Sequence, residues 1–229
     1  MWLCNSVCVI PKRCATKRDL FPEALFVTPK VNIRRPIGYY PLGPEIADDR
    51  LVGTPSSMHA SISFRPLERS DFPLLQEWLA APHVGVWWKE RLDLASVEAK
   101  YGPRVDGTEP THVFVVEQEG RPIGWIQWYL WADYPEHARQ LGAAPSSAGI
   151  DLAIGEVKMT GLGLGPVAIR EFTKQFVFVN PAVCAVVADP EESNLRSLRA
   201  FKKAGFRVVK IVQHAGEDSK RQVLRLDRP

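Results

Sequence analysis

Apolar and polar positions follow a clear pattern from residue 61 onward, and this pattern predicts the first elements of structure. Residues 61–67, SISFRPL, read as a short strand. In SDFPLLQEWLAA, residues 70–81, apolar side chains recur three and four positions apart, the spacing of one helix face. We expect a helix capped by Ser70 or Asp71. Its predicted buried stripe is Leu74, Leu75, Trp78 and Leu79. A second helix is predicted over residues 92–101.

The middle and the end of the chain alternate strands with helices. Residues 111–130 have alternating apolar positions on either side of Glu119-Gly120, which predicts a two-stranded hairpin. A loop is predicted over 132–148, followed by a strand over 149–155, a glycine loop, a helix over 166–179 and a buried strand over 182–188. The next predicted helix has Asp189 or Ser193 as its cap and ends at Gly205. A last hairpin, over 206–227, closes the chain.

This order of elements predicts a single α+β domain over residues 58–229. We expect three layers, with a mostly antiparallel central sheet and helices on both of its faces. Residues 1–57 are rich in proline, arginine and turn residues and show no sustained periodicity, so we expect a poorly ordered N-terminal extension. Clean patterning starts at Met58, and our hypothesis is that the extension is dispensable and not native.

Composition and charge narrow the class of protein. Hydrophobic residues make up 45% of the chain and charged residues 24%, which are ordinary values for a globular protein. No apolar run approaches the roughly 20 residues that cross a bilayer, so we expect no membrane span. The net charge of +3 lies entirely in the first 57 residues. The rest of the chain is neutral, which argues against nucleic acid as a partner.

The cysteines and histidines indicate neither a disulfide framework nor a metal site. Cys4, Cys8 and Cys14 lie in the extension, and Cys184 lies in the apolar run VCAVVA. One thiol in the main body cannot form a disulfide framework, so a cytoplasmic location is expected. We interpret Cys184 as a packed strand residue, with a nucleophilic role as the alternative. The histidines are scattered without the spacing of metal ligands, so no metal is predicted.

The stretch GEVKMTGLGLGPVAIREFTK places Gly161, Gly163 and Gly165 directly before a predicted helix. Exposed backbone amides at a helix N-terminus favour an anion, and glycine permits its close approach. No Gly-Lys-Ser/Thr follows the loop, because Pro166 stands there, so it is not a Walker loop. Its spacing does not fit a dinucleotide fingerprint either. A tight turn with no ligand is the alternative.

A second motif identifies the anion that this loop is expected to bind. SNLRSLRAFKKAGF follows the next buried strand, and it contains an Asn-bearing helix that ends in Ala-Gly-Phe. Together the two motifs resemble motifs A and B of the Gcn5-related N-acetyltransferases (GNAT). The resemblance implies the acyl-CoA N-acyltransferase fold and acetyl-coenzyme A as cosubstrate. It implies that the loop binds the pyrophosphate of that cosubstrate.

Within this superfamily the chain looks like the aminoglycoside 6'-N-acetyltransferases. The stretches that show this resemblance are EWLAAPHVGVWW, PIGWIQWY, GIDLAIG, GLGLG and DPEESNLRSLRAFKKAGF, in that order. The resemblance implies an enzyme that acetylates the 6'-amine of aminoglycoside antibiotics and confers resistance to them. The residues that it implies as contacts of the coenzyme are Ala153, Ile154, Gly155, Val157, Gly161, Leu162, Gly163, Leu164, Gly165, Pro166 and Asn194.

The same resemblance implies the residues around the acceptor. Those expected to contact the aminoglycoside are Trp87, Trp88, Tyr101, Gln127, Glu136, Asp151 and Asp189. Of these, Asp151 and Asp189 are expected at the reacting amine as catalytic carboxylates. The chain departs from the family at Phe201, where a tyrosine is common and is thought to protonate the leaving thiolate. Phenylalanine has no proton to donate, so slower turnover or protonation by solvent is expected.

The residues themselves leave alternatives open. Asp151 interrupts an apolar strand, where a charge is costly without a purpose, but a bond to a loop amide is an alternative reading. Asp189 is also suited to cap the helix that follows it. The acceptor could instead be another polyamine or a siderophore lysine, and a non-catalytic acyl-coenzyme A-binding module is the alternative from another class. Either a monomer or a homodimer is compatible with the sequence.

Overall fold

The structure is a computed structural model that describes residues 61–90, 93–213 and 218–229. Strands within these ranges form a seven-stranded sheet, in the order β1-β2-β3-β4-β5-β7-β6. They are β1 (Ile62–Pro66), β2 (His112–Gln118), β3 (Arg121–Leu130), β4 (Ser147–Ile154), β5 (Ala185–Ala188), β6 (Arg207–Gln213) and β7 (Lys220–Asp227). All neighbouring pairs are antiparallel except β4 and β5. The predicted sheet is confirmed, and the expectations for residues 1–57 lie outside the described residues.

Helices cover both faces of this sheet, as predicted. They are α1 (Phe72–Ala80), α2 (Pro82–Trp88), α3 (Leu94–Val105), α4 (Pro135–Leu141), α5 (Leu164–Phe172) and α6 (Leu195–Lys203). Val115 belongs to a core shared with α1 and α3, and its neighbour Val116 belongs to a core shared with α5 and α6. Successive strand residues point to opposite faces, so β2 contributes to both cores. None of the described helices is both long and apolar enough to cross a bilayer.

The hairpin between β2 and β3 turns where the sequence predicts. Gln118 pairs with Arg121, which leaves Glu119 and Gly120 as the two turn residues. Both have a positive φ, 51° and 74°, which is the combination that a type I′ turn requires. Glycine adopts this conformation without steric cost, so the turn supports the pairing of β2 with β3.

The first helix is close to its prediction, but its start differs. Asp71 precedes α1 without capping it with its side chain. Its carboxylate instead accepts hydrogen bonds from the Glu68 N–H at 2.9 Å and from Arg65 at 2.7 and 2.8 Å. Of the predicted stripe, Leu75, Trp78 and Leu79 are buried, and Leu74 is only partly buried. Asp71 thus ties the end of β1 to the helix.

Two short helices were not predicted: α2 lies between the first two predicted helices, and α4 lies in the predicted loop over 132–148. Each begins with a proline, Pro82 or Pro135, at its first position, where the fixed φ suits a helix and the missing N–H costs nothing. Each has seven residues, which is too few for an apolar stripe to repeat. The expected cap of α6 was also wrong. Asn194, not Asp189 or Ser193, caps it by accepting the Ser197 N–H at 3.1 Å.

The remaining differences concern the ends of α5 and β5. The helix α5 begins two residues before Pro166 and ends at Phe172, where residues 173–177 continue as a π-helical turn. The strand β5 is shorter than predicted and begins after Cys184, whose residue is exposed. The expectation that Cys184 packs inside the sheet was therefore wrong, because the chain joins the sheet one residue later.

The parallel strands β4 and β5 diverge, and their divergence makes room for a site. They pair at three positions, from Ser147 with Ala185 to Gly149 with Val187. Beyond Gly149, β4 continues for five residues that pair with β3 on its other side. A backbone edge is therefore open in the wedge between the two strands, with hydrogen-bonding groups available to a ligand.

Candidate functional site

A cavity of about 450 Å³ lies between the end of β4, the glycine loop and α6, and we call it the glycine-loop cavity. Eight of the eleven residues expected at the coenzyme line it. They are Ala153, Ile154, Gly161, Gly163, Leu164, Gly165, Pro166 and Asn194. The sequence pattern and the fold therefore place the same segments around one cavity.

The other three residues lie elsewhere. Val157 and Leu162 are 61% and 64% exposed and do not line the cavity. Gly155 is buried beneath Trp78, and its N–H donates to the Ile123 carbonyl at 2.9 Å. The Gly155 amide is thus occupied within the sheet, and this glycine serves packing.

The glycine loop presents a helix N-terminus to this cavity. Gly161 and Gly163 have φ values of 79° and 82°, and Gly163 is the N-cap residue of α5. Apart from the immediate chain neighbours, no atom of the described residues lies within 4 Å of a Cβ built at either position. The first amides of α5 lack acceptors within the helix and carry its positive dipole end. These features suit an anion that approaches the backbone closely.

Basic side chains of α6 also favour an anion in this cavity. Arg196, Arg199 and Lys203 line the same cavity, opposite the glycine loop. They were not predicted from the sequence, although their spacing of three and four residues along a helix indicates one basic face. The cavity therefore combines amides from one side with cations from the other, which suits a ligand with several phosphates.

A second cavity, of about 680 Å³, is lined by the preceding part of β4, from Ile150 to Leu152, and we call it the acidic cavity. Five carboxylate residues line it: Glu90, Glu136, Asp151, Asp189 and Glu191. Trp87, Trp88, Tyr129 and Tyr134 provide aromatic walls. Of the residues expected at the acceptor, Trp87, Trp88, Glu136, Asp151 and Asp189 are all here. An acidic cavity with aromatic walls suits an organic polycation.

Asp151 is at the centre of β4, opposite Gln127 of β3. The Gln127 side-chain amide donates to Asp151 Oδ2 at 2.9 Å. Burial raises the pKa of the Asp151 carboxyl, and the charge of Asp189 adds to this effect. The Gln127 hydrogen bond and the charges of His137 and Arg104 oppose it. A carboxylate with a raised pKa is a stronger base, which is what proton removal from an amine requires.

Asp189 follows β5 and lies beside basic side chains of two other elements. Its Oδ2 lies 3.4 Å from His137 Nε2 and 3.7 Å from Arg221 Nη1, and its side chain is 10% exposed. His137 comes from α4 and Arg221 from β7. The separation of these two residues from Asp189 in the sequence does not predict the contacts. Arg221 lies beside Asp189 because β5 pairs with β7. Asp189 thus has basic side chains within 4 Å, whereas Asp151 forms no ion pair with any of the described residues.

Tyr101 and Gln127 lie behind the acidic cavity and do not line it. Tyr101 has no exposed surface, and burial raises the pKa of its phenol. Its hydroxyl lies 3.5 Å from Glu90 Oε2, and Glu90 also forms an ion pair with Lys100. In place of the two predicted contacts, the cavity wall contains Glu90 and Lys100, which the sequence analysis did not identify.

The two cavities meet along a shared wall. The residues that line both are Trp87, Trp88, Leu152, Asn194, Ser197 and Phe201. Phe201 is 5% exposed and packs edge-on against Phe206 at 5.0 Å between ring centroids. A ligand in one cavity can therefore reach a ligand in the other at Leu152 and Phe201. The arrangement is that of a two-substrate transfer site.

Replacing Gly155 by alanine should strongly destabilise the fold. A Cβ at this position would lie 2.0 Å from Trp78 Cγ, and Trp78 is held by stacking on Trp125 and by a hydrogen bond to Glu156. We expect the free energy of unfolding to fall by about 3 kcal/mol, measured by urea denaturation. Gly165→Ala is the control, because its Cβ would make an ordinary contact at 3.6 Å. Equal stability of the two variants would contradict this account of Gly155.

Comparison with known proteins identifies the family of this chain. The acetyltransferase (GNAT) domain family matches residues 68–214. The chain is 32% identical to aminoglycoside N(6')-acetyltransferase type 1 of Klebsiella pneumoniae over 149 residues, which are 64% of this chain and 74% of the relative. It therefore belongs to the GNAT acetyltransferases. The predicted family, fold and enzyme class are confirmed.

Two further similarities bear on the acceptor. The structure of the aminoglycoside acetyltransferase AAC(6')-Ib in complex with coenzyme A and kanamycin aligns with a TM-score of 0.62 and 29% identity. The alignment covers 73% of this chain and 95% of that one. The lysine N-acyltransferase MbtK of Mycolicibacterium paratuberculosis is 23% identical over 167 residues, or 73% of this chain and 74% of the relative.

Proposed function

We propose that this protein transfers the acetyl group of acetyl-coenzyme A to the 6'-amine of aminoglycoside antibiotics and thereby confers resistance to them. The observation that carries the proposal is the acidic cavity, which is lined by five carboxylates, four Trp and Tyr side chains and Phe201, and which meets the glycine-loop cavity along a shared wall. Aminoglycosides are polycations, and a cavity with this lining attracts them. The similarity to aminoglycoside 6'-acetyltransferases supports the same acceptor.

In this proposal acetyl-coenzyme A occupies the glycine-loop cavity. Its pyrophosphate binds the amides at the start of α5, and Arg196, Arg199 and Lys203 neutralise phosphate charge. The open edge of β4, at Ala153 and Ile154, pairs with the amides of the pantetheine arm. The thioester then lies at the shared wall beside Leu152 and Phe201. The acetyl group of the coenzyme thereby faces the acidic cavity.

The reaction itself requires a neutral amine, whereas a free alkylammonium has a pKa of about 10.4. The amine nitrogen attacks the thioester carbonyl carbon, so that a C–N bond forms and the C–S bond breaks. Asp151, directly or through water, takes the proton that the amine loses. The thioester is already activated, so positioning and stabilisation of the carbonyl oxygen by backbone amides supply much of the rate.

The leaving sulfur has no phenol beside it at position 201. Phe201 provides an apolar surface there, and its ring cannot donate a proton. The coenzyme thiolate therefore leaves as an anion and takes its proton from solvent. This assignment gives the site a base, Asp151, without a matching acid on α6.

A second acceptor class is favoured by the cations of the acidic cavity. Lys100 and Arg221 line it together with the carboxylates. An amino acid acceptor such as a lysine has an amine for Asp151 and a carboxylate for these cations. The similarity to a lysine N-acyltransferase supports this alternative. The aminoglycoside proposal rests on the larger number of acids and on the higher identity.

The test is thiol release from acetyl-coenzyme A by the full-length protein. Kanamycin and tobramycin, which have a 6'-amine, are compared with an aminoglycoside that has a 6'-hydroxyl, and with lysine and spermidine. We expect release with the 6'-amine drugs and none with the 6'-hydroxyl drug. Release with lysine or spermidine alone would replace the proposed acceptor. Binding of acetyl-coenzyme A without release for any acceptor would overturn the proposal.

A further inference from the structure

A chain of hydrogen bonds runs from α3 through the sheet to Asp151. Arg104, in the last turn of α3, donates from Nη1 to Gln127 Oε1 at 3.0 Å. Gln127 donates from Nε2 to Asp151 Oδ2 at 2.9 Å. At the far end, Arg104 Nε donates to Glu109 Oε1 at 2.9 Å, which fixes the guanidinium. Arg104 and Gln127 line neither cavity, and Gln127 is 6% exposed.

The chemistry of these groups permits one orientation of the Gln127 amide. Arginine has donors and no acceptor, and an ionised carboxylate has acceptors and no donor. A glutamine between them must therefore turn its oxygen to Arg104 and its NH2 to Asp151. The reversed amide would place NH2 against the guanidinium and oxygen against the carboxylate, both inside the protein. Arg104 thus dictates which end of Gln127 meets Asp151.

The orientation of Gln127 determines which oxygen of Asp151 is available to the acceptor. Asp151 Oδ2 is engaged by Gln127, and no other hydrogen bond to the carboxylate occurs among the described residues, which leaves Oδ1 for the acceptor amine. We propose that Arg104 is a positioning residue for acetyl transfer, which acts through Gln127 to hold Asp151 ionised and turned toward the acidic cavity. This inference rests on the proposed role of Asp151 as base.

The charged and titratable groups around Asp151 give the sign of the effect. The acidic groups around Asp151 are Asp189 after β5, Tyr101 of α3 and Tyr129 of β3. The basic groups around it are His137 of α4 and Arg104 of α3. The charge of Arg104 and the Gln127 hydrogen bond both lower the pKa of Asp151 against the effect of burial. Their loss therefore leaves Asp151 protonated up to a higher pH.

The experiment measures kcat/KM against pH for Arg104→Met, Gln127→Met and the double variant, with an acceptor that the wild type acetylates. We expect the acid limb of the profile to move to higher pH by about one unit in each. The double variant should shift by less than the sum of the two single variants, because Arg104 acts partly through Gln127 and partly through its own charge on Asp151. Arg104→Lys should recover part of the shift. The dissociation constant for acetyl-coenzyme A should not change.

The control is Arg69→Met, which removes another arginine that binds acids, Glu98 of α3 and Asp106 directly after it, on the exposed surface. Its profile should match the wild type. An unmoved acid limb in Arg104→Met, or additive shifts in the double variant, would overturn the inference while leaving the proposed acetylation intact. If no acceptor is acetylated, the proposed function fails separately. The pKa of Asp151 is then compared in wild type and Arg104→Met by carboxyl ¹³C NMR, and an equal pKa overturns the inference.

Discussion

Replacing Asp151 by asparagine should lower kcat for amine acetylation by about a hundredfold or more. The substitution keeps the shape of the side chain and removes its capacity to accept the amine proton. Asp151 is a sound candidate because its carboxylate has a raised pKa and one neutral donor, Gln127, whereas Asp189 is held by His137 and Arg221. Steady-state thiol release gives kcat, and calorimetry gives the affinity for acetyl-coenzyme A, which should remain that of the wild type.

Two other variants sharpen this test. Asp133→Asn changes an exposed acid that does not line the acidic cavity and should leave kcat unaltered. Asp189→Asn removes an acid that we expect to act in binding, so its main effect should be on KM. If Asp151→Asn retains full turnover, Asp151 is not the base. A hundredfold loss of kcat in Asp189→Asn instead would assign the proton to that residue.

Replacing Gly163 by alanine should weaken acetyl-coenzyme A binding by about tenfold or more. The φ of 82° strains any residue with a Cβ, and the strain is relieved by a change in the loop that displaces the first amides of α5. Hydrogen bonds to a charged group are worth about 1.5–3 kcal/mol each, and 1.4 kcal/mol is tenfold in affinity. Calorimetric titration with acetyl-coenzyme A measures the change.

Gly107→Ala is a matched control for this variant. Gly107 has a φ of 71°, and it lines neither cavity. Apart from its chain neighbours, no atom of the described residues lies within 4 Å of a Cβ built there. Both variants should therefore lose similar stability, about 1 kcal/mol, while affinity changes in Gly163→Ala alone. Unchanged affinity in Gly163→Ala would mean that the loop is a tight turn without a ligand, the alternative that its sequence leaves open.

The sequence predicts well those features that local patterns determine. The hairpin at Glu119-Gly120, the glycine loop and the alternation of strands and helices all follow from turn chemistry and periodicity. The placement of Asp151 and Asp189 in one cavity came from family resemblance, because no local pattern relates a residue of β4 to one that follows the neighbouring strand β5. The short helices α2 and α4 escaped prediction since seven residues do not repeat a helical pattern.

Residues brought together by tertiary structure were harder to foresee. Tyr101 was expected in the acceptor wall, yet it faces the core, and the wall is built from Glu90, which its hydroxyl contacts. Arg221 reaches Asp189 because β7 lies beside β5, a neighbour relation that is absent from the linear order. Asn194 was expected at the coenzyme and lines both cavities, but it also caps α6, so one side chain has a structural and a ligand-facing position.

The shared wall limits how this enzyme can acquire new acceptors during evolution. A substitution at Leu152 or Ser197 that reshapes the acidic cavity also alters the surface offered to the coenzyme. Glu136 and Tyr134 lie in the acidic cavity alone, so changes there leave the donor side untouched. Adaptation to a new drug should therefore accumulate first on the short helix α4 and the turn before it, while the wall between the two substrates stays fixed.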